Sequence, residues 1–354
     1  MKTIVLTGGG TMGHVTPNLA LIPKLTEEGW EISYIGSKTG MEKDELQKDG
    51  TIPYYGISSG KLRRYISIDN LKDPFKVVAG LFEAYSLLNK LKPNVVFSKG
   101  GYVTVPVVLA ARFLHIPVII HESDITPGLA NKIASKGANK ICVNFPETLK
   151  YVGEKGVLTG TPLRQEIFTG SKSQGMKLCK FSTQKPVLLI MGGSSGSATV
   201  NDAVRAAVLD LVKQFNVVHI CGNGKIDSSL ENVNGYKQFE FVSQDLKHLF
   251  AMADIVVSRA GANTLAEIVA LGLPNILIPL EKGSRGDQVL NAQSMQKQGF
   301  SEIMSEDNLG KDLLIETITR VYQNRDYYCN AMANGGRGDG TGNVLKEIRK
   351  YNKA

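Results

Sequence analysis

The sequence predicts an α/β protein made of two doubly wound domains, each with a parallel sheet covered by helices. Its 354 residues exceed what one ordinary hydrophobic core accommodates and suit two domains. Short apolar runs alternate with helical patterns along most of the chain, as in repeated β-α-β units. The opening pattern, an apolar run leading into glycines, also recurs near the middle of the chain.

The first domain is expected at residues 1–163. It opens with an apolar run at 3–6, a glycine-rich loop at 8–14 and a helix over about 17–28. Further strands are expected at 31–35, 94–97, 117–121 and 140–143, with helices over 75–91, to about 114, and over 127–136.

The second domain is expected at residues 164–340. Its early segment 168–185 is polar and contains Gly170 and Gly175, which predicts loop and linker. The apolar run and its glycines then return at 186–196, and strands at 216–220, 255–257 and 275–278 alternate with helices. Residues 341–354 are expected to form a closing amphipathic helix that packs back on the first domain.

The composition favours an anionic partner. Lys and Arg total 41 against 33 Asp and Glu, a net charge of +8, which suits nucleic acid, phosphorylated metabolites or an acidic membrane surface without choosing between them. We find no signal peptide and no apolar run of transmembrane length, so a cytoplasmic protein is expected. The four cysteines are isolated and the five histidines form no metal-binding pair, which predicts reduced thiols and no dedicated metal site.

The segment 258–267 predicts a strand, a tight turn and a helix start that together bind an anion. The first N–H groups of a helix lack partners and carry partial positive charge, which suits a diphosphate. Glu267 lies on the same helical face as Asn263 and can accept hydrogen bonds from sugar hydroxyls. The residues assigned to this site are Arg259, Gly261, Ala262, Asn263, Thr264 and Glu267. From this segment alone, an ordinary turn with Glu267 in solvent is the alternative.

The first glycine loop matches the dinucleotide-binding fingerprint, with glycines at Gly8, Gly10 and Gly13. A nicotinamide-dependent dehydrogenase must therefore be considered. That fingerprint requires an acidic side chain at the end of the second strand, where this chain has residues 35–37 without one. The second half also lacks the acid at 220–223, so a ligand other than NAD is favoured.

Two further places carry candidate acid–base groups. His14 follows the first glycine loop at the start of a helix, where the positive helix end keeps the imidazole neutral and able to accept a proton; a capping role is the alternative. Glu122 and Asp124 follow a strand at its carboxyl end, where open α/β sheets bind ligands. They either act as base, bind hydroxyls, or belong to a polar loop.

Two surface candidates remain. Gln288 and Asn291 share one helical face, and their amides suit sugar hydroxyls and an N-acetyl group, although such a pair is often plain solvated surface. A basic loop at 61–66 precedes the helix expected over 75–91, which carries a broad apolar face. That face either belongs to the core or, with the basic loop, enters an anionic bilayer.

Six motifs appear in one order along the chain: residues 9–14, 99–102, 121–124, 192–194, 258–261 with Glu267, and 287–292. Together they resemble the MurG family of peptidoglycan N-acetylglucosaminyltransferases, over essentially the whole chain. The resemblance implies a GT-B fold, two Rossmann-like domains facing a cleft, with the donor bound mainly by the second domain and a lipid acceptor by the first.

The implied reaction is the inverting transfer of GlcNAc from UDP-GlcNAc to the muramyl 4-hydroxyl of undecaprenyl-pyrophosphoryl-MurNAc-pentapeptide, which converts lipid I to lipid II. It belongs to peptidoglycan synthesis and so to cell wall biogenesis, cell shape and cell division. The resemblance further implies no metal or other cofactor, no nucleic acid partner, and peripheral attachment to the inner face of the cell membrane.

The resemblance also assigns residues by position. It gives the ribose to Glu267, the diphosphate to Ala262, Ser194 and Arg164, the uracil to Val242, and the GlcNAc hydroxyls to Gln288. It lines the acceptor side with Thr11, Met12, Gly13 and His14. His14 or a nearby carboxylate would deprotonate the acceptor hydroxyl, and the helix starts at Gly192 and Gly261, with Arg164 and Arg259, would neutralise the leaving diphosphate.

Two residues depart from the family pattern. Met12 stands where many members have glycine, and Asp124 stands where an asparagine is usual, so the role of Asp124 is open. Three other functions also remain: an isomerase such as a UDP-GlcNAc 2-epimerase, a non-catalytic nucleotide-sugar sensor, and a glycosyltransferase acting on diacylglycerol or another lipid.

Overall fold

The structure is a computed structural model that describes residues 2–48, 50–60, 69–193, 196–282, 285–335 and 338–352, with the backbone alone over 69–74. The chain divides into two compact units. The first consists of Met1–Arg164 and Asp339–Ala354, and the second of Gln165–Gly338.

The first unit contains a seven-stranded parallel sheet in the order β3-β2-β1-β4-β5-β6-β7. The strands are β1 (Lys2–Thr7), β2 (Trp30–Ser37), β3 (Tyr54–Ile57), β4 (Val95–Ser98), β5 (Val118–Glu122), β6 (Lys140–Val143) and β7 (Gly156–Leu158). The helices are α1 (Thr16–Glu27), α2 (Met41–Gln47), α3 (Asp69–Leu91), α4 (Thr104–Phe113), α5 (Leu129–Ala134) and α6 (Leu149–Val152).

The second unit contains a six-stranded parallel sheet in the order β10-β9-β8-β11-β12-β13. The strands are β8 (Val187–Met191), β9 (Asn216–Ile220), β10 (Tyr236–Phe239), β11 (Ile255–Ser258), β12 (Asn275–Leu277) and β13 (Glu302–Ile303). The helices are α7 (Lys172–Cys179), α8 (Ala198–Gln214), α9 (Leu246–Met252), α10 (Ala262–Ala270), α11 (Asp287–Lys297), α12 (Lys311–Gln323) and α13 (Arg325–Gly335). The predicted fold class, two Rossmann-like parallel-sheet domains, is confirmed.

The continuous apolar strands are explained by burial on both faces of the sheet. Successive strand residues point to opposite faces, and Val5 and Leu6 of β1 accordingly belong to two different hydrophobic clusters. Val96 and Phe97 of β4 divide between the same two clusters. Helices cover both faces, which explains why the centres of these strands are apolar on both sides.

Each sheet has one point at which its strand order reverses. In the first unit this switch point lies between β1 and β4, and in the second between β8 and β11. Open α/β sheets bind ligands beyond the carboxyl ends of the strands at such a point. The loops that begin at Gly8, Lys99, Gly192 and Arg259 are therefore the four that the fold places at ligand-binding positions.

A last helix, α14 (Gly340–Arg349), belongs to the first unit although it ends the chain. Val344, Leu345 and Ile348 are buried in the same cluster as residues of α1. Arg349 also pairs with Glu28 just beyond the end of α1, at 2.5 Å between Nη2 and Oε1.

The segment 168–185 is not the loop and linker that its composition suggested. It contains helix α7, whose first turn is capped by Ser171 Oγ accepting the N–H of Gln174 at 3.4 Å. Gly175 lets this helix approach α9 closely, since a Cβ there would come within 2.4 Å of the His248 carbonyl oxygen. A glycine that suggests a loop from sequence thus serves close helix packing.

Candidate functional site

The turn between β11 and α10 presents an open helix N-terminus. Gly261 is the residue before the helix, and a Cβ at this position would meet no atom within 4 Å. Among the described residues no side chain caps the helix, and its first turn contains no acidic residue. The partial positive charge of the helix end, with open space at Gly261, therefore suits an anion.

The polar residues of α10 lie on its accessible side, while Leu265 and Ile268 are buried. Asn263, Thr264 and Glu267 are each partly exposed. Glu267 follows Asn263 by one helical turn, on the same face of the helix. The structure thus brings together the donor-side residues predicted on this helix.

The predicted role of Arg259 needs a correction, because its guanidinium is hydrogen-bonded to other groups of the protein. Nη1 donates to the carbonyl oxygens of Ile278 at 3.0 Å and Pro279 at 3.2 Å. Nη2 donates to Ser197 Oγ at 2.6 Å and forms an ion pair with Glu306 at 2.5 Å. Arg259 is also buried, at 9% exposure. These contacts give it the role of fixing the loop after β11 and do not support the predicted contact with a diphosphate.

The two amides of α11 behave differently from each other. Asn291 is fully buried and its Nδ2 donates to the carbonyl oxygen of Ala260 at 3.2 Å, so it supports the β11–α10 loop and does not fit the predicted sugar contact. Gln288 is partly exposed, and its Oε1 accepts the N–H of Leu280 at 3.0 Å. That bond orients the side chain and leaves its amide N–H groups as donors for a ligand.

The glycine loop after β8 is held by close backbone contacts. Gly193 has φ +86° and Gly196 has φ +66°, and a Cβ on Gly196 would come within 1.9 Å of the Cys221 carbonyl oxygen. Helix α8 begins only after this loop, with Ser197 Oγ accepting the N–H of Val200 at 3.3 Å. The helix start assigned to Gly192 is therefore several residues away from it. The N–H of Gly192 donates to the carbonyl oxygen of Ile220 at 3.5 Å, and the N–H of Gly196 donates to that of Gly193 at 3.0 Å.

Three other residues that were predicted to bind the donor substrate are not part of α10 or α11. Ser194 lies outside the described residues. Val242 is half-buried in the loop beyond β10, at the carboxyl edge of the second sheet. Arg164 is the last residue of the first unit, and its Nε is buried without a hydrogen-bond partner among the described residues.

In the first unit, the loop after β1 contains the predicted acceptor-side residues. Met12, Gly13 and His14 form one turn of 3-10 helix just before α1, and Thr11 precedes it. Thr11 Oγ1 lies 3.0 Å from His14 Nδ1. In the tautomer in which Nδ1–H donates to this hydroxyl, Nε2 carries the lone pair that a general base requires.

The sequence-based search for an acid near this loop missed Glu42, in the first turn of α2. Its carboxylate is fully buried: Oε2 accepts the N–H of Gly10 at 3.4 Å, and Oε1 accepts the N–H of Ser37 at 2.9 Å. The acidic residue that the dinucleotide fingerprint requires at the end of β2 is thus supplied by the next helix, α2. Its carboxylate is hydrogen-bonded to the glycine loop and not to a ribose. A Cβ at position 9 would come within 2.5 Å of Glu42 Oε1, so a larger residue there would displace this carboxylate.

The two carboxyl groups after β5 have different surroundings. Glu122 is buried, and its oxygens accept the N–H of Asp124 at 3.0 Å, the N–H of Gly128 at 3.0 Å and Asn131 Nδ2 at 2.9 Å. Burial, and then the charge of Asp124, raise the pKa of Glu122 above its ordinary value. These contacts favour a structural role for Glu122. Asp124 is partly exposed and is the carboxylate of this loop that a ligand can reach.

The described part of the chain contains no group of three or more His, Cys, Asp or Glu side chains arranged to hold a metal ion. Its cysteines are free thiols, and burial raises the pKa of Cys142 and Cys179 to about 12. None of its helices combines the length and the apolar character that crossing a bilayer requires.

Comparisons with known proteins extend over the whole chain. Residues 4–143 match the glycosyltransferase family 28 N-terminal domain and residues 187–342 match the glycosyltransferase family 28 C-terminal domain. The chain is 56% identical over 355 residues to a protein of Lachnospira eligens named UDP-N-acetylglucosamine--N-acetylmuramyl-(pentapeptide) pyrophosphoryl-undecaprenol N-acetylglucosamine transferase, with 100% of both chains covered. A protein of the same name from Clostridium perfringens is 54% identical over 349 residues, 98% of each chain.

Solved structures give the same architecture. MurG of Acinetobacter baumannii aligns with a TM-score of 0.77 at 27% identity and covers 99% of this chain and 100% of that chain. A UDP-GlcNAc 2-epimerase of Neisseria meningitidis, bound to UDP-GlcNAc, aligns with a TM-score of 0.71 at 16% identity over 99% of both chains, a likeness of fold alone.

The two parallel sheets have the architecture of GT-B glycosyltransferases, and the two matched domain families make the chain a glycosyltransferase. More particularly, the chain belongs to glycosyltransferase family 28, whose two domain descriptions it matches in order.

The ion pair of Arg259 gives a stability prediction. Glu306→Gln is expected to lower the free energy of unfolding by about 3 to 5 kcal/mol, because it leaves a mostly buried guanidinium without its counter-charge. Urea unfolding measures this change. Asp307→Asn is the matched control, because Asp307 pairs with Lys282 on the exposed surface and should contribute less than about 1 kcal/mol. Equal losses in the two variants would contradict the structural role of Arg259.

Proposed function

We propose that this protein transfers GlcNAc from UDP-GlcNAc to the muramyl 4-hydroxyl of undecaprenyl-pyrophosphoryl-MurNAc-pentapeptide, forming lipid II for peptidoglycan synthesis. The observation that carries the proposal is the full-length match, at 52–56% identity, to relatives that bear this transferase name. The geometry of the second unit agrees with it, because the N-terminus of α10 suits the diphosphate of a nucleotide sugar.

On the donor side, the N–H groups of Ala262 and Asn263 stabilise the diphosphate as charge develops on the leaving UDP. Glu267 accepts hydrogen bonds from the ribose hydroxyls, and Gln288 donates to the GlcNAc. Val242 meets the uracil through its backbone, while Arg164 and Ser194 serve the phosphates. Arg259 acts indirectly, because it fixes the loop from which α10 begins.

On the acceptor side, the muramyl 4-hydroxyl loses its proton to His14 or Asp124 and attacks the anomeric carbon from the face opposite the diphosphate. The C–O bond to the diphosphate breaks as the new glycosidic bond forms, which inverts the anomeric configuration. Thr11 holds the His14 ring in one orientation, and Met12 and Gly13 line the approach. The scheme uses protein groups for charge neutralisation and requires no metal.

An isomerase is the second candidate, because UDP-GlcNAc 2-epimerases share the fold. The full-length relatives at 52–56% identity carry the transferase name, which favours transfer over epimerisation.

An acceptor panel tests the function. The protein is incubated with UDP-GlcNAc alone, with the undecaprenyl-linked muramyl pentapeptide, and with diacylglycerol, and the products are separated by chromatography. We expect UDP release and a disaccharide lipid only with the muramyl acceptor. Formation of UDP-ManNAc without acceptor would show an isomerase, donor binding without turnover a sensor, and glycosylated diacylglycerol a different transferase.

If Glu267 binds the ribose hydroxyls, removing its carboxylate should lower the affinity for UDP-GlcNAc. Glu267→Ala is expected to weaken UDP-GlcNAc binding about 10- to 100-fold, because a hydrogen bond to a charged group contributes about 1.5 to 3 kcal/mol. Calorimetry with UDP-GlcNAc measures the affinity. Glu316→Ala, which removes an exposed carboxylate from α12 of the same unit, should leave it unchanged. Unchanged affinity in Glu267→Ala would contradict the assignment.

If His14 is the general base, its removal should lower turnover and leave donor affinity unchanged. His14→Ala is expected to bind UDP-GlcNAc normally and to lose about 100-fold or more in kcat, the usual contribution of a general base. His115→Asn is the control, because His115 is exposed and has φ +56°, which asparagine tolerates. Near-normal turnover in His14→Ala would show that His14 is not the general base and would leave Asp124 as the candidate.

We further propose that the first unit attaches peripherally to the inner face of the cell membrane. One side of α3 packs on the core through Ala84 and Leu88, but its other side is exposed, with Phe75 at 78% and Phe82 at 71%. Val78 and Tyr85 complete this exposed stripe at helical spacing. Such an apolar stripe suits the bilayer interface, and the basic residues predicted to accompany it, Lys61, Arg63 and Arg64, lie outside the described residues.

Vesicle sedimentation tests this attachment. Phe82→Ser is expected to reduce binding to vesicles about tenfold or more, since burial of a large apolar side chain contributes about 1.5 to 3 kcal/mol. Leu209→Ser is the control, because Leu209 is similarly exposed, at 63%, but lies on the second unit. Binding that does not change with anionic lipid content would contradict the electrostatic part of the proposal.

A further inference from the structure

Glu42 is a fully buried acidic residue to which neither the resemblance nor the proposed reaction assigns a role. It lies in the first turn of α2, and its exposed fraction is 0%. Glutamate is almost never fully buried unless its carboxyl group is paired. Because the carboxyl group is closed off from solvent, its role lies in the protein groups that surround it.

The hydrogen-bond donors around this carboxyl group come from two places in the first unit. Ser37, at the end of β2, donates twice to Oε1, from its N–H at 2.9 Å and from its hydroxyl at 2.5 Å. The N–H of Gly10, in the glycine loop after β1, donates to Oε2 at 3.4 Å. The two short bonds fix the carboxyl group on Ser37, and its other oxygen connects it to the glycine loop.

The glycine loop has close contacts with both α2 and the loop after β4. A Cβ on Gly9 would come within 2.5 Å of Glu42 Oε1, and the N–H of Gly9 donates to the carbonyl oxygen of Gly100 at 3.3 Å. Gly10 has φ +90°, and a Cβ there would come within 2.8 Å of the Tyr102 ring. The backbone at these two glycines is therefore confined between the Glu42 carboxyl group and the loop after β4.

The candidate acceptor-side residues follow Gly10 directly in the chain. Thr11 is exposed and precedes the turn of 3-10 helix that ends at His14. Thr11 Oγ1 lies 3.0 Å from His14 Nδ1. A displacement of the backbone at Gly10 therefore moves the Thr11 hydroxyl and, through it, the imidazole. Reacting groups tolerate little displacement, since about 1 Å of misplacement can cost about 100-fold in rate.

We propose that Glu42 is a positioning residue of the acceptor-side site, whose buried carboxyl group fixes the glycine loop at Gly10 so that Thr11 and His14 are held in place for the acceptor hydroxyl. The inference rests on the proposed function, because that function supplies the acceptor. Glu42 acts through the backbone of the loop and does not itself touch the substrate.

The test variant is Glu42→Gln, which keeps the size of the side chain and replaces one oxygen by an NH2 donor. The favoured orientation keeps the amide oxygen on the two donors of Ser37, because the reverse orientation would lose both of these bonds. The NH2 then faces the N–H of Gly10, which loses its acceptor. Asp44→Asn is the matched control, because Asp44 lies in the same turn of α2 and undergoes the same change of acid to amide but is exposed.

Amide hydrogen exchange measures the effect on the loop without any substrate. Glu42→Gln is expected to speed the exchange of residues 8–14 about tenfold, because the loop loses a hydrogen bond that restrains its local opening. Residues 118–122 of β5, in the same sheet, should keep the wild-type rate, which excludes a general loss of stability. Asp44→Asn should leave both segments unchanged. A wild-type rate over residues 8–14 in Glu42→Gln would overturn the proposal.

Turnover measures the effect on the reaction. Glu42→Gln should lower kcat for the muramyl acceptor about tenfold or more. Its affinity for UDP-GlcNAc should be unchanged, because the donor residues lie on the second unit apart from Arg164. In the His14→Ala background the same change should alter kcat less than about twofold, since two residues that act through one interaction are not additive. An equal fold loss in the two backgrounds would overturn the positioning role.

Gly9→Ala disturbs the same contact without changing Glu42. The added Cβ displaces the carboxyl group, and the φ of Gly9 lies outside the left-handed region, so alanine fits the backbone. This variant should reproduce both the faster exchange over residues 8–14 and the loss of kcat. If Glu42→Gln fails to show a cooperative unfolding transition, Gly9→Ala decides, and wild-type exchange and turnover in it would overturn the proposal.

Wild-type turnover distinguishes failure of this inference from failure of the proposed function. If the wild-type chain does not glycosylate the muramyl acceptor, the proposed function fails. If it does, and Glu42→Gln keeps the wild-type kcat and the wild-type exchange over residues 8–14, only the role of Glu42 fails.

Discussion

The backbone N–H groups that the fold directs to the two switch points are the constraint on which the rest of this structure depends. A parallel sheet that reverses its strand order leaves loop amides and helix starts facing the same edge, and these donors need acceptors. The two units meet this need differently. In the first, the Glu42 carboxylate accepts the N–H of Gly10, whereas the first turn of α10 in the second unit contains no acidic residue. The helix start of the second unit therefore suits the diphosphate of the proposed donor better than the loop of the first unit does.

Buried charges stabilise the loops around these amides. Arg259 joins the loop after β11 to the cap of α8 through Ser197 and to Glu306. Glu122 ties the loop after β5 to the start of α5 through Gly128 and Asn131. A buried ion pair or carboxylate adds little net stability compared with an apolar core, but removing one partner is costly. Such groups therefore restrict a loop to one arrangement, which a transferase needs for in-line attack.

Local patterns predicted the fold well, and they located the loops that carry the candidate site. Apolar runs followed by glycines locate the loops after β1 and β8, and a strand followed by Arg-Ala-Gly locates the start of α10. These features depend on residues a few positions apart, so sequence spacing reveals them. The polar segment that contains α7 was misjudged because its helix depends on packing against α9, which composition does not report.

The roles of individual charged residues were harder to predict, because they depend on partners distant in the chain. Arg259 was assigned to the diphosphate from its place beside Gly261, yet its ion-pair partner follows 47 residues later. Glu42 was missed because the fingerprint directs attention to the end of β2, and the acid enters from the next helix.

The first loop matches the dinucleotide-binding fingerprint although no acidic residue ends β2. The three glycines of the first loop satisfy backbone requirements: Gly8 packs against the His14 carbonyl, and Gly10 has φ +90°. These requirements belong to the turn between a strand and a helix and do not depend on which ligand follows. The carboxylate that would select a ribose is instead hydrogen-bonded to the loop itself. The fingerprint therefore reports the turn, and the side chains around it decide the ligand.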